Sequence, residues 1–180
     1  MKTIVCFIAA IALIAMAFLS GCSLIEKDFD GEVSVHYPVN ETDDDSDITY
    51  DEIRTLNALD DEDIRDNLEK IQNWTVTKVS YSISGYQGDD DATFSGILGF
   101  SRNSDMSASI SVPVSGLKLS DLNGKAKLDL GLSSSDLSKL ASWFEADNAL
   151  KVYMNGTLSQ GPISFYLDVY AGIRIRARIL

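Results

Sequence analysis

The residues able to do covalent, acid–base or metal chemistry are few in this sequence, and their spacing restricts each of them. His36 is the only histidine and the cysteines are two, Cys6 and Cys22. His36 lies in a run in which Val33, Val35 and Tyr37 alternate with Ser34 and His36, so it should face solvent or a polar rim. A lone histidine without a nucleophile partner carries no triad logic, and it is assigned no role. The clusters Asp43-Asp44-Asp45-Ser46-Asp47 and Asp89-Asp90-Asp91 hold carboxylate oxygens of the kind calcium takes, with Asp43, Asp45, Asp47, Asp89 and Asp91 as the candidate ligands. Neither follows the calcium-loop spacing with its glycine and distal glutamate, so solvated loops are expected and calcium is left without support.

Arg174, Arg176 and Arg178 alternate with Ile173, Ile175 and Ile179, which puts three guanidinium groups on one strand face. They are expected to pair with acidic side chains of neighbouring strands or to solubilise an edge; the alternative is a docking stripe for a carboxylate-rich or phosphorylated partner. Tyr81, Tyr86, Tyr153, Tyr166 and Tyr170 lie in or beside strand-like runs. They serve either as core edges or as platforms that stack on sugar rings, as in carbohydrate-binding sandwiches. Gly96-x-x-Gly99 falls inside a strand pattern with no following Lys-Ser or Lys-Thr, so no phosphate loop is present.

The elements that would position these residues are mostly strands. Alternation predicts a strand over 32–39, then an acidic loop over 40–47; residues 48–58 fit neither period and stay undecided between helix and strand. A helix is predicted from an Asp60 N-cap, with Ile64, Leu68 and Ile71 on one face and Asn73 as its stop. From Trp74 the period becomes two, and strands are expected over 74–84, 92–101, 106–119 and 126–132, with an Asn123-Gly124 turn before the last. A second helix is predicted over 133–148, capped within Ser133-Ser134-Ser135-Asp136, with Leu137, Leu140, Ala141 and Phe144 on its apolar face. Strands over 149–158 and 163–180, the latter bent at Gly172, complete seven or eight antiparallel strands. The expected fold is mainly β, an antiparallel sandwich or a curved sheet carrying one or two short helices.

At the start, Met1-Lys2 precedes an uncharged run of about 16 residues from Ile4 to Leu19, too short for the roughly 20 residues of a comfortable membrane span. Leu19-Ser20-Gly21-Cys22 closes it. This segment resembles the lipobox of bacterial lipoproteins, an aliphatic residue and two small ones before an obligatory cysteine. The resemblance implies that residues 1–21 are a cleaved signal peptide, with cleavage between Gly21 and Cys22. It further implies that Cys22 carries a thioether-linked diacylglycerol and an N-acyl chain. Several chains hold a bilayer far more firmly than one. Residues 22–31 would then form a flexible lipidated tether and 32–180 a single β-rich domain. Ser23 after the cysteine fits, by resemblance to the sorting rule of enteric bacteria, the outer membrane rather than the inner. The domain is similar to small β-rich lipoproteins of Gram-negative envelopes, with no signature motif that names a family.

Composition narrows the classes further. Cys6 falls in the signal and Cys22 is consumed by lipid, which leaves no thiol for a disulfide, a nucleophile, a zinc site or an iron–sulfur cluster in the mature domain. The chain has 15 Lys plus Arg against 27 Asp plus Glu; without Lys2 the balance is 14 against 27, a charge of −13. Such a surface repels nucleic acid and anionic headgroups. The expectation is therefore a membrane-anchored, non-enzymatic binding or structural module for a protein or glycan partner. The alternatives are a cell-envelope glycan hydrolase working through paired carboxylates and a calcium-dependent adhesin. Expressed in a bacterial host, the wild type should lose residues 1–21, gain lipid mass and enter the detergent phase, while Cys22→Ala stays a full-length precursor. Equal mass and partitioning for the two forms would refute the anchor.

Overall fold

The computed structural model describes residues 25–179. The predicted signal peptide and the lipidation residue Cys22 lie outside the described residues. Among the described residues no helix is long and apolar enough to cross a membrane.

The chain forms eight strands, β1 (Ile25–Glu41), β2 (Ser46–Asn57), β3 (Ile71–Gln87), β4 (Thr93–Arg102), β5 (Ile110–Lys118), β6 (Leu128–Asp129), β7 (Ala149–Gln160) and β8 (Ile163–Ile179). The helices are α1 (Glu62–Asn67), α2 (Leu119–Leu122) and α3 (Ser134–Asp147). Two four-stranded antiparallel sheets, ordered β1-β8-β3-β6 and β2-β7-β4-β5, make a β-sandwich.

The period of two explains the layers. Val33, Val35, Tyr37 and Val39 of β1 are buried, and so are Phe165, Leu167, Val169, Ala171, Ile173 and Ile175 of β8. From the second sheet Leu56, Phe94, Leu98, Phe100, Leu150, Val152, Met154 and Leu158 meet them. The Tyr37 hydroxyl donates to the Val152 carbonyl at 2.7 Å and so ties β1 of one sheet to β7 of the other. Gly96 and Gly156 face each other in register between β4 and β7; a Cβ at Gly96 would stand 2.2 Å from the Asn155 carbonyl oxygen, so only glycine permits this approach.

α3 closes one open side of the sandwich, packed against β3, β7 and β4. Ser133 caps it, its hydroxyl accepting from the Asp136 amide at 3.2 Å, and Asn148 ends it in the left-handed conformation at φ 55°. Leu140 and Phe144 are fully buried, and the Phe144 ring stacks on Trp74 at 6.3 Å. Each such burial contributes about 1.5–3 kcal/mol. Trp143 lies partly buried against the core.

The structure corrects several expectations. Residues 25–31 are not a free tether: they pair with β8 from Ile25 opposite Ile179 onward. β1 also runs through Pro38, whose missing N–H an edge strand tolerates. Residues 48–58 resolve as strand over most of their length, because β7 supplies a partner from Ile48 to Asn57. The first helix has six residues, capped by Asp61 rather than Asp60, and the predicted Ile71 turn is already strand beside Ala177. So short a helix has little intrinsic stability, and pairing to β8 outweighs it. The strand expected from 106 begins at Ile110, and the one expected over 126–132 pairs only through Leu128 and Asp129. Gly172 marks an irregularity as expected, opposite a bulge at Thr77 whose hydroxyl donates to the Gly172 carbonyl at 3.1 Å.

Removing the Tyr37 hydroxyl should weaken the link between the sheets. Tyr37→Phe is expected to cost about 1–2 kcal/mol. Tm should fall by about 2–4 °C for each kcal/mol in a chain of this length. Tyr166→Phe, on the outer surface, serves as the control and should leave Tm unchanged; equal Tm values for all three proteins would remove Tyr37 from the stability account.

Candidate functional site

The outer face of the β1-β8-β3 sheet gathers most of the residues singled out from sequence. Register alone builds it: Glu26, Asp28, Asp30, Ser34, His36 and Pro38 of β1 stand opposite Arg178, Arg176, Arg174, Tyr170, Asp168 and Tyr166 of β8. On the far side of β8, Ser82 faces Asp168 and Ser84 faces Tyr166. The face divides into a charged half and a half of aromatic and hydroxyl groups.

In the charged half Arg174 Nε donates to Asp30 Oδ1 at 2.7 Å and Arg176 Nε to Asp28 Oδ1 at 2.8 Å, with the Nη2 groups reaching the second oxygens at 3.3 and 3.4 Å. Two of the three arginines thus pair with acids of the adjacent strand, and their forks are occupied. Arg178 stands opposite Glu26, and its Nε is buried with no hydrogen-bond partner among the described residues.

In the other half His36 Nδ1 lies 2.7 Å from Asp168 Oδ1, and its ring stacks on Tyr166 with centroids 4.8 Å apart. Tyr166 is 47% exposed. Four residues along the same strand, the Tyr170 hydroxyl meets Ser82 Oγ at 3.2 Å, and Lys127 lies 3.6 Å above its ring while pairing with Glu32. These partners are 88 to 132 residues apart in the chain for Ser82–Tyr170 and His36–Asp168, and no local pattern announces them.

The remaining tyrosines are dispersed. Tyr81 lines an apolar cavity between the sheets with Phe94, Leu98, Met154 and Phe165, and burial raises its pKa. The Tyr86 hydroxyl donates to the Asp89 carbonyl at the acidic end of the sandwich. Tyr153 belongs to the opposite sheet, where residues 103–109 cover it: its hydroxyl meets Ser101 Oγ at 2.9 Å, and Lys151 Nζ donates to the Asp105 carbonyl at 2.8 Å.

The two acidic loops, distant in sequence, line one cleft through Asp44, Asp45 and Asp89. Yet among the described residues no three His, Cys, Asp or Glu side chains come together as a metal site. Asp91 is held by Lys118 at 2.8 Å, and Asp89 Oδ1 accepts from the Asp91 amide at 2.8 Å. The fold therefore brings these loops to the same end without assembling Asp43, Asp45, Asp47, Asp89 and Asp91 into a ligand set.

A polar seam missed from sequence lies on the inner face of β2. Tyr50 donates to Glu52, Arg54 Nε donates to Glu52 Oε1 at 2.6 Å, and the Arg54 guanidinium sits 5.4 Å from the Tyr37 ring centroid. Burial is the main cause that raises the phenols of Tyr37 and Tyr50 well above their ordinary range. Both tyrosines stay protonated at neutral pH and act as donors. The i, i+2 spacing of Tyr50, Glu52 and Arg54 is a legible signal once residues 48–58 are known to be strand.

Three carboxylates lie below their ordinary value of 3.8: Asp28 through its hydrogen bond from Arg176, Asp91 through Lys118 and Asp147 through Arg102. That direction is the reverse of what a general acid in a glycosidase needs. Each pair contributes stability above pH 3.8 and loses it as the pH falls through the carboxylate's own lower value. Tm should accordingly drop as the pH is lowered from 4 toward 2, and the triple variant Asp28→Asn, Asp91→Asn, Asp147→Asn should show a shallower drop; parallel curves would show that these pairs do not govern acid stability. No protein-family model matches this chain, and no curated protein matches it.

Proposed function

We propose that this chain is a lipid-anchored envelope protein whose sandwich is a non-enzymatic module binding an uncharged glycan on the outer face of β1, β8 and β3. The observation that carries the reading is the row Tyr166, Asp168, Tyr170 on β8, flanked by His36 on one side and by Ser82 and Ser84 on the other. At about 3.3 Å per residue, the two tyrosines stand about 13 Å apart along the strand. Between them lie a carboxylate, an imidazole and hydroxyls suited to sugar hydroxyl groups, and Tyr166 offers exposed aromatic surface for the apolar face of a sugar ring.

The electrostatic balance narrows the ligand. A formal charge of −12 disfavours polyanionic glycans by simple repulsion. The lipobox resemblance supports a position at a membrane surface, and Ser23 after Cys22 supports the outer membrane, where glycans are at hand.

Titration of the protein with uncharged envelope oligosaccharides, read by calorimetry, tests this reading. Tyr166→Ala should weaken binding by at least tenfold, about 1.4 kcal/mol, with Tm unchanged. Unaltered affinity in that variant, or no binding by the wild type, would overturn it. Release of new reducing ends would replace it with a hydrolase, and loss of binding in a chelator with a calcium-dependent adhesin.

A further inference from the structure

We infer that the free edge of β3 beside α3 is a docking groove for an extended peptide segment of a partner protein, added as a strand and carrying basic residues at its flanks. The site is separate from the Tyr166 face and does not depend on the glycan reading.

β3 runs for 17 residues, but β6 pairs with it only at Ser80 and Tyr81. On that side the Leu130 amide donates to the Val79 carbonyl at 3.0 Å and the Gly124 amide to the Ile83 carbonyl at 2.9 Å. N-terminal to Val79, no strand pairs with this edge among the described residues.

The register shows which main-chain groups are left. Val79 points its carbonyl away from β8, so Ser80 and Lys78 are the residues bonded toward β8, opposite Tyr170 and Gly172. The same alternation on β8 continues at Arg174 and Arg176, whose partners past the bulge are Thr75 and Asn73. Trp74 and Val76 therefore direct their N–H and C=O groups outward, while their side chains are buried in the core.

A groove of about 380 Å³ runs along this edge. One wall is formed by three consecutive strand residues, Trp74, Thr75 and Val76, which places it along the main chain rather than over a sheet face. Leu137 and Ala141 of α3, together with Ser134, Ser138 and Ser142, form the opposite wall, and among the described residues Glu145 is the one charged side chain lining it. The Trp74–Phe144 stack fixes the spacing between the walls.

Unpaired main-chain donors and acceptors beside a wall of small and apolar side chains are what strand addition uses, the backbone supplying affinity and alternate side chains supplying selectivity. The charge of the groove selects the occupant. Glu145 and the formal charge of −12 disfavour a second copy of this chain and favour a segment with Lys or Arg at its ends.

The test uses the full chain in detergent and a pool of capped octapeptides that alternate Val and Thr between terminal lysines. Amide hydrogen exchange is followed residue by residue. At saturating peptide, exchange at Trp74 and Val76 should slow by about tenfold, with no change at the Tyr166 face. Peptides N-methylated on alternate amides, and peptides with Glu in place of Lys, should give no protection. Ser138→Tyr, which fills the groove from the exposed side of α3, should abolish protection at unchanged Tm. Tyr166→Ala should leave it intact. Unprotected Trp74 and Val76 amides at millimolar peptide, equal protection by the N-methylated or Glu-flanked peptides, or dimerisation of the chain through this edge would overturn the proposal.

Discussion

The structure depends first on one antiparallel ribbon, the pairing of β1 with β8 from Ile25–Ile179 to Glu41–Ile163. It joins strands more than a hundred residues apart in sequence, and its register sets both surfaces of the sheet. A slip of one residue would turn Val33, Val35, Tyr37 and Val39 outward, and would separate Asp28 from Arg176, Asp30 from Arg174 and His36 from Asp168. The inward row is what resists that slip, since burial of its apolar side chains far outweighs the solvent-screened pairs on the outside. Closing so long a loop costs entropy before any contact is gained, and such a topology folds slowly.

The second sheet is bound to this ribbon differently along its sides. Where β1 meets β2, the contact is partly polar: Tyr37 reaches the Val152 carbonyl, and Tyr50, Glu52 and Arg54 satisfy one another beneath it. On the other side α3 inserts apolar residues, with Phe144 against Trp74. A polar seam at an open edge admits water without cost to an unpaired group, whereas a helix with one apolar stripe seals the edge. The sealing is incomplete beside β3, because β6 is only two residues long.

The two outer faces diverge for the same reason. On the second sheet residues 103–109 fold over Tyr153, held by Lys151 and Ser101. Among the described residues no segment covers Tyr166 in this way, and Arg174 and Arg176 are already paired within the sheet.

Much of the fold was legible because it follows from local periodicity. Alternation marked most of the strands, Ser133 and Phe144 marked α3, and the Ile/Arg alternation at the end of the chain correctly placed three guanidinium groups on one face. What failed was whatever a distant partner decides. Residues 25–31 read as a spacer until β8 lies beside them, residues 48–58 have no clean period until β7 pairs with them, and Ile71 leaves its helix for Ala177. The candidate face shows the same division. Sequence by itself determined which side chains point outward, since the period of a strand is a property of the backbone. Only the tertiary structure decided that His36 meets Asp168, that Tyr170 meets Ser82 and that the acidic loops share one end, because register between remote strands is set by packing of the whole core and not by any local run of residues.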